Sequence, residues 1–544
     1  MRKDKQKLRV SFSQGLNSAA VWTLRIVGSV IFCTLSWYAL RYTQYIPQFQ
    51  TEIPVNMHDS VSGNILVLGL AMFGMVGLSA LEQHLSVRVQ TWVMRSMIVA
   101  LALWVGICGI IWITSVDRQP VGDQAFIYGG ASYFIEGQYS FLEKNGYCDM
   151  WPHQLGLIAV VELLFRFVGT YNYFALQIIS VGFTVGISIL GYLLVRFMSD
   201  NMAVVLAYCI LMSACLPMFF YTGWVYGDIP STFFMMATAY LLLKYKRSGN
   251  WRYLPFMILA VVMAILVRKN SLIMLIALCL TAGVYVILHR DKKLFLALVL
   301  SALLPGLVYA GIYKMYEVRS GTKILGGIPA ASYFALGMQE STSGNGWFTE
   351  YHKKVYWASD SDPKLAAEVS WQDVKTRWEV FKNDPSYAWQ FYREKVLSQW
   401  NQPLYQSLFF SAQYKEGMEP DPDSLDAKIH GQYLSTVLTI CDRIQFIIYF
   451  GMMCYFLFAV KKGSNILQHM LAATMIGGFF FSIIWEAKAR YVLPYYIIMY
   501  PMAVLGYGQL FQFVALVSKR LHGKKFKTPI LSSMAESNKR GMGV

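Results

Sequence analysis

Long apolar stretches recur along this chain, in a number that no soluble core could bury. Residues 21–40, 97–114, 254–267, 272–288, 294–312, 446–460 and 491–517 are among them. Several approach the roughly 20 residues that a helix needs to cross a hydrocarbon core of roughly 30 Å. Composition agrees: 56% of the chain is hydrophobic, only 14% is charged, and the mean hydropathy is +0.41. Soluble domains carry about a quarter charged residues. A signal peptide is excluded at the start, because Arg25 interrupts the first apolar run and further spans follow it. The predicted fold class is an all-α polytopic membrane protein.

The net charge of +16 does not point to nucleic acid once its placement is considered. Lys and Arg cluster in short loops and tails between apolar runs, where they orient a membrane protein. The tail Arg2-Lys3-Asp4-Lys5-Gln6-Lys7 is expected in the cytoplasm. The loops holding Arg88 and Arg95, Lys244 to Arg252, His289 to Lys293, Lys461-Lys462 and the tail from Lys519 lie on the same side. Residues 115–153 and 317–432, Arg268-Lys269 and residues 486–490 then fall on the exterior face of a multi-pass cell-membrane protein. Between 154 and 243, four apolar stretches stand where an odd number must cross: 155–168, 174–195, 202–220 and 231–243. The first is short and carries Glu162 and Arg166, so it is the one expected to dip or lie along the interface. About twelve or thirteen spans result.

Four regions are predicted. Residues 1–91 hold the tail and two helices, 92–315 a membrane module, 316–432 an exterior helical subdomain, and 433–544 the last spans with a basic tail. In the subdomain, residues 363–400 read as one amphipathic helix with Asp362 as cap and Pro363 in the first turn. Its apolar face would carry Leu365, Val369, Trp371, Val374, Trp378 and Phe381. The eight cysteines are scattered without metal-type spacing. Most sit inside apolar runs as small packing residues; a disulfide between Cys148 and Cys441 is left open.

The first exterior loop is the most informative stretch. Asp117, Arg118 and Asp123 stand just beyond a span. A short amphipathic helix over 124–136 follows, with Ala125, Tyr128, Ser132 and Ile135 on one face suited to the membrane surface. Gly137 ends it, and Trp151-Pro152-His153-Gln154 leads into the next apolar stretch.

An acidic residue after an early span, a juxtamembrane helix ending in Glu-Gly and an aromatic-Pro-X-Gln lead-in together resemble the GT-C fold glycosyltransferases. That superfamily includes the protein O-mannosyltransferases and the bacterial aminoarabinose and cell-wall sugar transferases. Val267-Arg268-Lys269-Asn270-Ser271 resembles the family's exterior Arg facing the lipid phosphate, and Ala489-Arg490-Tyr491-Val492-Leu493-Pro494 its RYxLP segment. Gly346-Trp347 and residues 395–405 resemble exterior segments of bacterial members. The resemblance runs over about residues 97–507 in short pieces, and the first two spans look like an addition to the usual plan. It implies a GT-C-like bundle, a polyprenyl-phosphate-linked sugar as donor, and an exterior glycan or polymer as acceptor. It also implies transfer without a required cofactor. A divalent metal beside Asp117 and Asp123 stays open, although two carboxylates are few ligands for one.

The chemistry calls for the same residue types. A carboxylate must take the proton of the acceptor hydroxyl, and positive charge must stabilise the departing lipid phosphate. Asp123, with Asp117 nearby, supplies the base. Arg268, Lys269 and Arg118 supply the phosphate clamp, Arg being favoured for bidentate geometry. Arg490, His153, Trp151 and Trp347 are further candidate substrate contacts, the tryptophans by stacking on a sugar. Each has a plainer reading. Asp123 and Asp228 could be helix caps, Asp117 a solvated loop residue, and Arg268 and Lys269 headgroup anchors. Arg490 could pair with Glu486, and His153 could be a structural interface histidine. A transporter or flippase would place ionisable residues at mid-membrane in paired halves, whereas these charges stand at span ends. A polysaccharide polymerase or ligase remains the third reading, because of the large segment 317–432.

Overall fold

The computed structural model describes residues 2–47, 51–116, 120–413, 420–461 and 463–521, with side chains from residue 15 to residue 518. Asp117 and Arg118 lie outside the described residues. Helix α1 (Arg2–Ala39) leads into an antiparallel hairpin of β1 (Tyr42–Tyr45) and β2 (Val55–His58), with Tyr42 opposite His58. Helices α2 (Val61–His84) and α3 (Val87–Ser115) begin at Ser60 and Ser86, whose hydroxyls accept from the N–H groups of Gly63 and Val89. The first long loop holds α4 (Asp123–Ile135) and the single turn α5 (Tyr147–Met150). After Pro152, α6 (Leu155–Val168) leaves at 104° to the segment Ser140–Met150. Then come α7 (Tyr173–Met198), α8 (Met202–Ser213), the short α9 (Leu216–Phe220), α10 (Asp228–Ser248), α11 (Tyr253–Val267), α12 (Leu272–His289) and α13 (Lys292–Ser320).

The polar segment that follows folds as α14 (Ala330–Gly337), α15 (Tyr351–Ala358), α16 (Pro363–Asn383), α17 (Pro385–Trp400), α18 (Ser407–Ser411) and α19 (Leu425–His430). Helices α20 (Leu434–Cys454), α21 (Met470–Ile484) and α22 (Leu493–Leu521) complete the chain.

Among the described residues, nine helices are long and apolar enough to cross a membrane, and two bent pairs raise the number to as many as eleven. That is fewer than the twelve or thirteen read from the sequence, and the shortfall lies in α10 and α11. Helix α11 has 15 residues, about 22 Å of helix against a core of roughly 30 Å. Helix α10 ends in Lys244, Lys246 and Arg247, which lower its apolar character. The stretch expected to dip, α6, is one half of the more sharply bent pair. Outward-facing Leu66, Phe73, Trp92 and Leu103 are exposed on α2 and α3, a surface that suits lipid rather than water.

One apolar core runs from Val21 in α1 to Phe511 in α22. The two N-terminal helices belong to it: α1 packs on α20, and α2 packs on α8. Buried Glu82 of α2 accepts from the N–H of Met202 at 3.0 Å, satisfying a free donor at the start of α8. All eight cysteines are free, so the Cys148–Cys441 disulfide does not form.

Residues 363–400 form two helices rather than one. Pro385 lacks an N–H and cannot continue α16, and Asp384 caps α17 by accepting from Tyr387 at 2.9 Å. Asp362 caps α16 as predicted. The buried face of α16 is Ala366, Ser370 and Phe381, while Leu365, Val369, Trp371 and Trp378 are exposed. The helix therefore docks through Ala366, Ser370 and Phe381; of the predicted apolar stripe Phe381 is buried, while Leu365, Val369, Trp371 and Trp378 are not.

The segment 317–432 sits on the first long loop. Lys144 meets Asp360 at 2.5 Å, Ser361 donates to Asn145 at 2.7 Å, and the N–H of Ile328 donates to the carbonyl of Met150 at 3.0 Å. The two segments therefore share one face. Single cysteines at Asn145 and Asp360, in a cysteine-free background, should react alike with a membrane-impermeant maleimide in sealed cells. Labelling of only one would contradict this arrangement.

Candidate active site

A cavity of about 700 Å³ opens where the first loop, the segment after α13 and the start of α22 meet, within the size range of small-molecule sites. Gly122 is one of its lining residues. Its backbone (φ 60°, ψ −144°) lies where side chains are rarely tolerated, and α4 starts at the next residue. Asp123 is thus the first helical residue and not the cap, and no side chain caps this helix. Its carboxylate turns instead to Arg490, whose Nη2 lies 3.2 Å from Oδ2. The Asp123 side chain is 44% exposed, open to the cavity, whereas that of Arg490 is 4% exposed. Burial among the cavity walls alone would raise the Asp123 carboxyl. The opposing charges of Arg490, Lys488 and Lys353 outweigh it and hold the group below the usual carboxylate range. Asp123 is therefore ionised at neutral pH.

Arg490 occupies the turn Ala489–Val492 that leads into α22. It pairs with Asp123 and not with Glu486. Its N–H donates to Gln406 Oε1 at 3.1 Å, and the rings of Tyr226 and Phe410 lie 4.9 Å from its guanidinium carbon. Arg268, at the end of α11, meets Asp228 at 2.6 Å, both being buried. Asp228 is the first residue of α10 and caps nothing. Gly227 allows this meeting: a Cβ there would stand 2.1 Å from the carbonyl oxygen of Val267. Lys269 is exposed and lines the cavity, with no ion-pair partner among the described residues. Trp151 and His153 line it too. Trp151 donates to the Tyr333 hydroxyl at 2.8 Å, and the carbonyl of His153 accepts from Tyr309 at 3.2 Å.

Trp347 does not reach the cavity. It is fully buried, and its Nε1 donates to Ser398 at 2.8 Å, so it has no face to offer a sugar. Its surroundings hold the site wall instead. The N–H of Ala487 donates to the carbonyl of Gly346 at 2.7 Å. Buried Lys395 donates to the carbonyls of Gly337 and Ile483 at 2.5 and 2.8 Å.

Several cavity residues were not among the candidate site residues of the sequence reading: Glu52, Tyr226, His352, Glu486, Lys488 and Tyr491. The run Glu486-Ala-Lys-Ala-Arg490, with charge at every second position before a span, was the available signal for two of them. Glu486 is buried and its carboxyl is pushed up to about 7, by burial first and then by Glu52 and Asp123 against the pull of Lys488 and Arg490. His352 stacks on Tyr333 at 5.1 Å; burial, with Lys353 and Lys488 nearby, pushes its imidazole down to about 3 and keeps it neutral. Trp224 Nε1, His352 Nδ1 and Arg490 Nε are buried without a hydrogen-bond partner among the described residues. Such groups are unusual in a finished core. Among the described residues, no three His, Cys, Asp or Glu side chains gather as a metal ion would require.

Two outcomes follow for the paired charges. Replacing Arg490 by Gln removes the largest charge that opposes burial at Asp123, so the carboxyl should rise. The acid limb of any activity that needs it ionised should then move to higher pH; an unmoved limb would contradict the pairing. Arg268→Ala leaves Asp228 buried and unpaired, a loss of about 3–5 kcal/mol in thermal or denaturant unfolding. Arg268→Ala combined with Asp228→Ala should recover much of it, and a stable Arg268→Ala single variant would mean that the pair contributes little.

Residues 153–310 match the family model for dolichyl-phosphate-mannose-protein mannosyltransferase. The matched region holds His153, Arg268 and Lys269, while Asp123 and Arg490 lie on either side of it. No curated protein matches the chain. Taken with the polytopic helical fold, the family match fits a membrane glycosyltransferase of the GT-C type.

Proposed function

We propose that the cavity transfers a sugar from a polyprenyl-phosphate carrier to an exterior glycan or polymer, with Asp123 as the general base. The observation that carries this reading is the Asp123 carboxylate itself: ionised, open to the cavity and released from any capping duty. In the proposed step the acceptor hydroxyl gives its proton to Asp123. Its oxygen attacks the anomeric carbon from the face opposite the phosphate, and the sugar–oxygen bond breaks with its electrons moving onto the lipid phosphate. Lys269, without a counterion among the described residues, and Arg268 beside it favour that departing charge. Lipid and sugar divide naturally in such a site, because the carrier chain stays among the membrane lipids while the sugar projects between loop elements. The family description names a dolichyl-phosphate donor, which is of the same chemical class. A transporter reading is less favoured, since the charged groups lie where helices end and loops begin.

Asp123→Asn separates base from scaffold. Helix α4 has no side-chain cap to lose, but Asn cannot replace the charge that faces buried Arg490, so some stability should be lost. Turnover is therefore read on variant protein shown to be folded and to bind donor. Turnover should fall by at least about a hundredfold, the usual worth of a general base. A stable Asp123→Asn protein with near-normal transfer would remove Asp123 from the role and leave Asp117 as the next carboxylate to test.

A further inference from the structure

The N-terminal hairpin reaches into the cavity. Between β1 and β2, Glu52 lines the cavity together with residues of the first loop, although the match to known transferases begins a hundred residues later. Its Oε1 accepts from Lys488 Nζ at 3.2 Å and from Gln406 Nε2 at 3.1 Å. Gln406 in turn accepts from the N–H of Arg490 through its Oε1 at 3.1 Å, and Arg490 holds Asp123. The chain of contacts therefore runs from Glu52 through a single buried amide to the candidate base.

The backbone at this relay is strained. Tyr405 and Gln406 both have left-handed φ, 48° and 62°, and neither is glycine. Such residues persist only where surrounding structure over-determines them, and they gather at functional sites. The surroundings here do so: the carbonyl of Tyr405 accepts from Tyr221 at 2.7 Å, its hydroxyl accepts from Gln445 at 2.8 Å, and Gln406 is fully buried. The hairpin is fastened to the same segment. Gln44 N–H donates to the carbonyl of Asn401 at 2.9 Å, and Asn401 Nδ2 donates to the carbonyl of Tyr42 at 2.5 Å.

We infer that Glu52 is a positioning residue of the active site, brought by the N-terminal helix pair to hold Lys488 and, through Gln406, Arg490 in the places that serve Asp123. The inference rests on the reading of this cavity as the transfer site. It makes the first two helices part of the catalytic unit and not a detachable anchor.

The test uses the full-length chain in detergent or nanodiscs, as wild type, Glu52→Gln and Glu52→Asp. Glu52→Gln should lower kcat roughly ten- to a hundredfold, as misplacement of catalytic groups does, with KM for the lipid donor little changed and thermal stability kept. Glu52→Asp, which retains the charge, should recover a large part of kcat; a purely structural acid would show neither the kcat-only loss nor the recovery. A second readout does not depend on turnover. Modification of Lys488 by an acetylating reagent, followed by peptide mass spectrometry, should rise in Glu52→Gln and return towards wild type in Glu52→Asp. If the wild type transfers no sugar while Lys488 responds this way, the transfer reading fails and only the placement of Lys488 by Glu52 stands. Wild-type kcat in Glu52→Gln, or unchanged Lys488 reactivity, overturns the positioning role.

Discussion

The ion pair between Asp123 and Arg490 joins residues 367 apart in sequence, and the site is arranged around it. A buried guanidinium without a partner is costly, so the turn before α22 settles where the first-loop helix can meet it. The contact brings together elements that the chain order keeps apart. Gly122 starts α4 at Asp123, Gln406 accepts from the backbone N–H of Arg490, and Ala487, three residues before Arg490, is tied to Gly346. The pair also bears on the protonation state, since Arg490 is foremost among the cations, with Lys488 and Lys353, that offset burial at the Asp123 carboxyl.

Charge around the cavity is divided into two kinds. Arg490, Arg268 and Lys488 each face a carboxylate, namely Asp123, Asp228 and Glu52. Lys269 faces none among the described residues. The paired cations act as fixtures whose field is largely spent inside the protein. The unpaired one retains its attraction for an incoming anion, and it stands at the α11–α12 junction, where a span end meets the cavity. On the proposed transfer reading, this division favours Lys269 over Arg268 as the first contact of a lipid phosphate, although Arg has the better fork geometry.

Much of the fold was legible in the sequence because bilayer thickness converts directly into apolar length. The first-loop helix, the Asp362 cap and the anomalous stretch 155–168 were all visible from spacing and cap residues. What escaped was whatever depends on partners distant in the chain. Asp123 looked like a cap because it precedes a helix, yet Gly122 takes that position. Arg490 has Glu486 four residues away, yet three-dimensional packing gives it Asp123. Trp347 was grouped with the sugar contacts by its exterior setting, and only burial shows that it props the wall. Glu52 carried no local signal, being one acid in a connection between two spans. The apolar stripe of α16 was right only in part: Phe381 is buried, but Ala366 and Ser370 make the rest of the contact and leave Trp371 and Trp378 outside.

The central claim is sugar transfer from a phosphate-linked lipid. Purified full-length protein incubated with a panel of radiolabelled polyprenyl-phosphate sugars, in the presence of cell-envelope acceptor, tests it most directly. The account predicts that label leaves one of the lipids and appears in the acceptor, with lipid phosphate as the other product. Retention of label on every lipid across the panel, with the protein folded and the acceptor present, would contradict it.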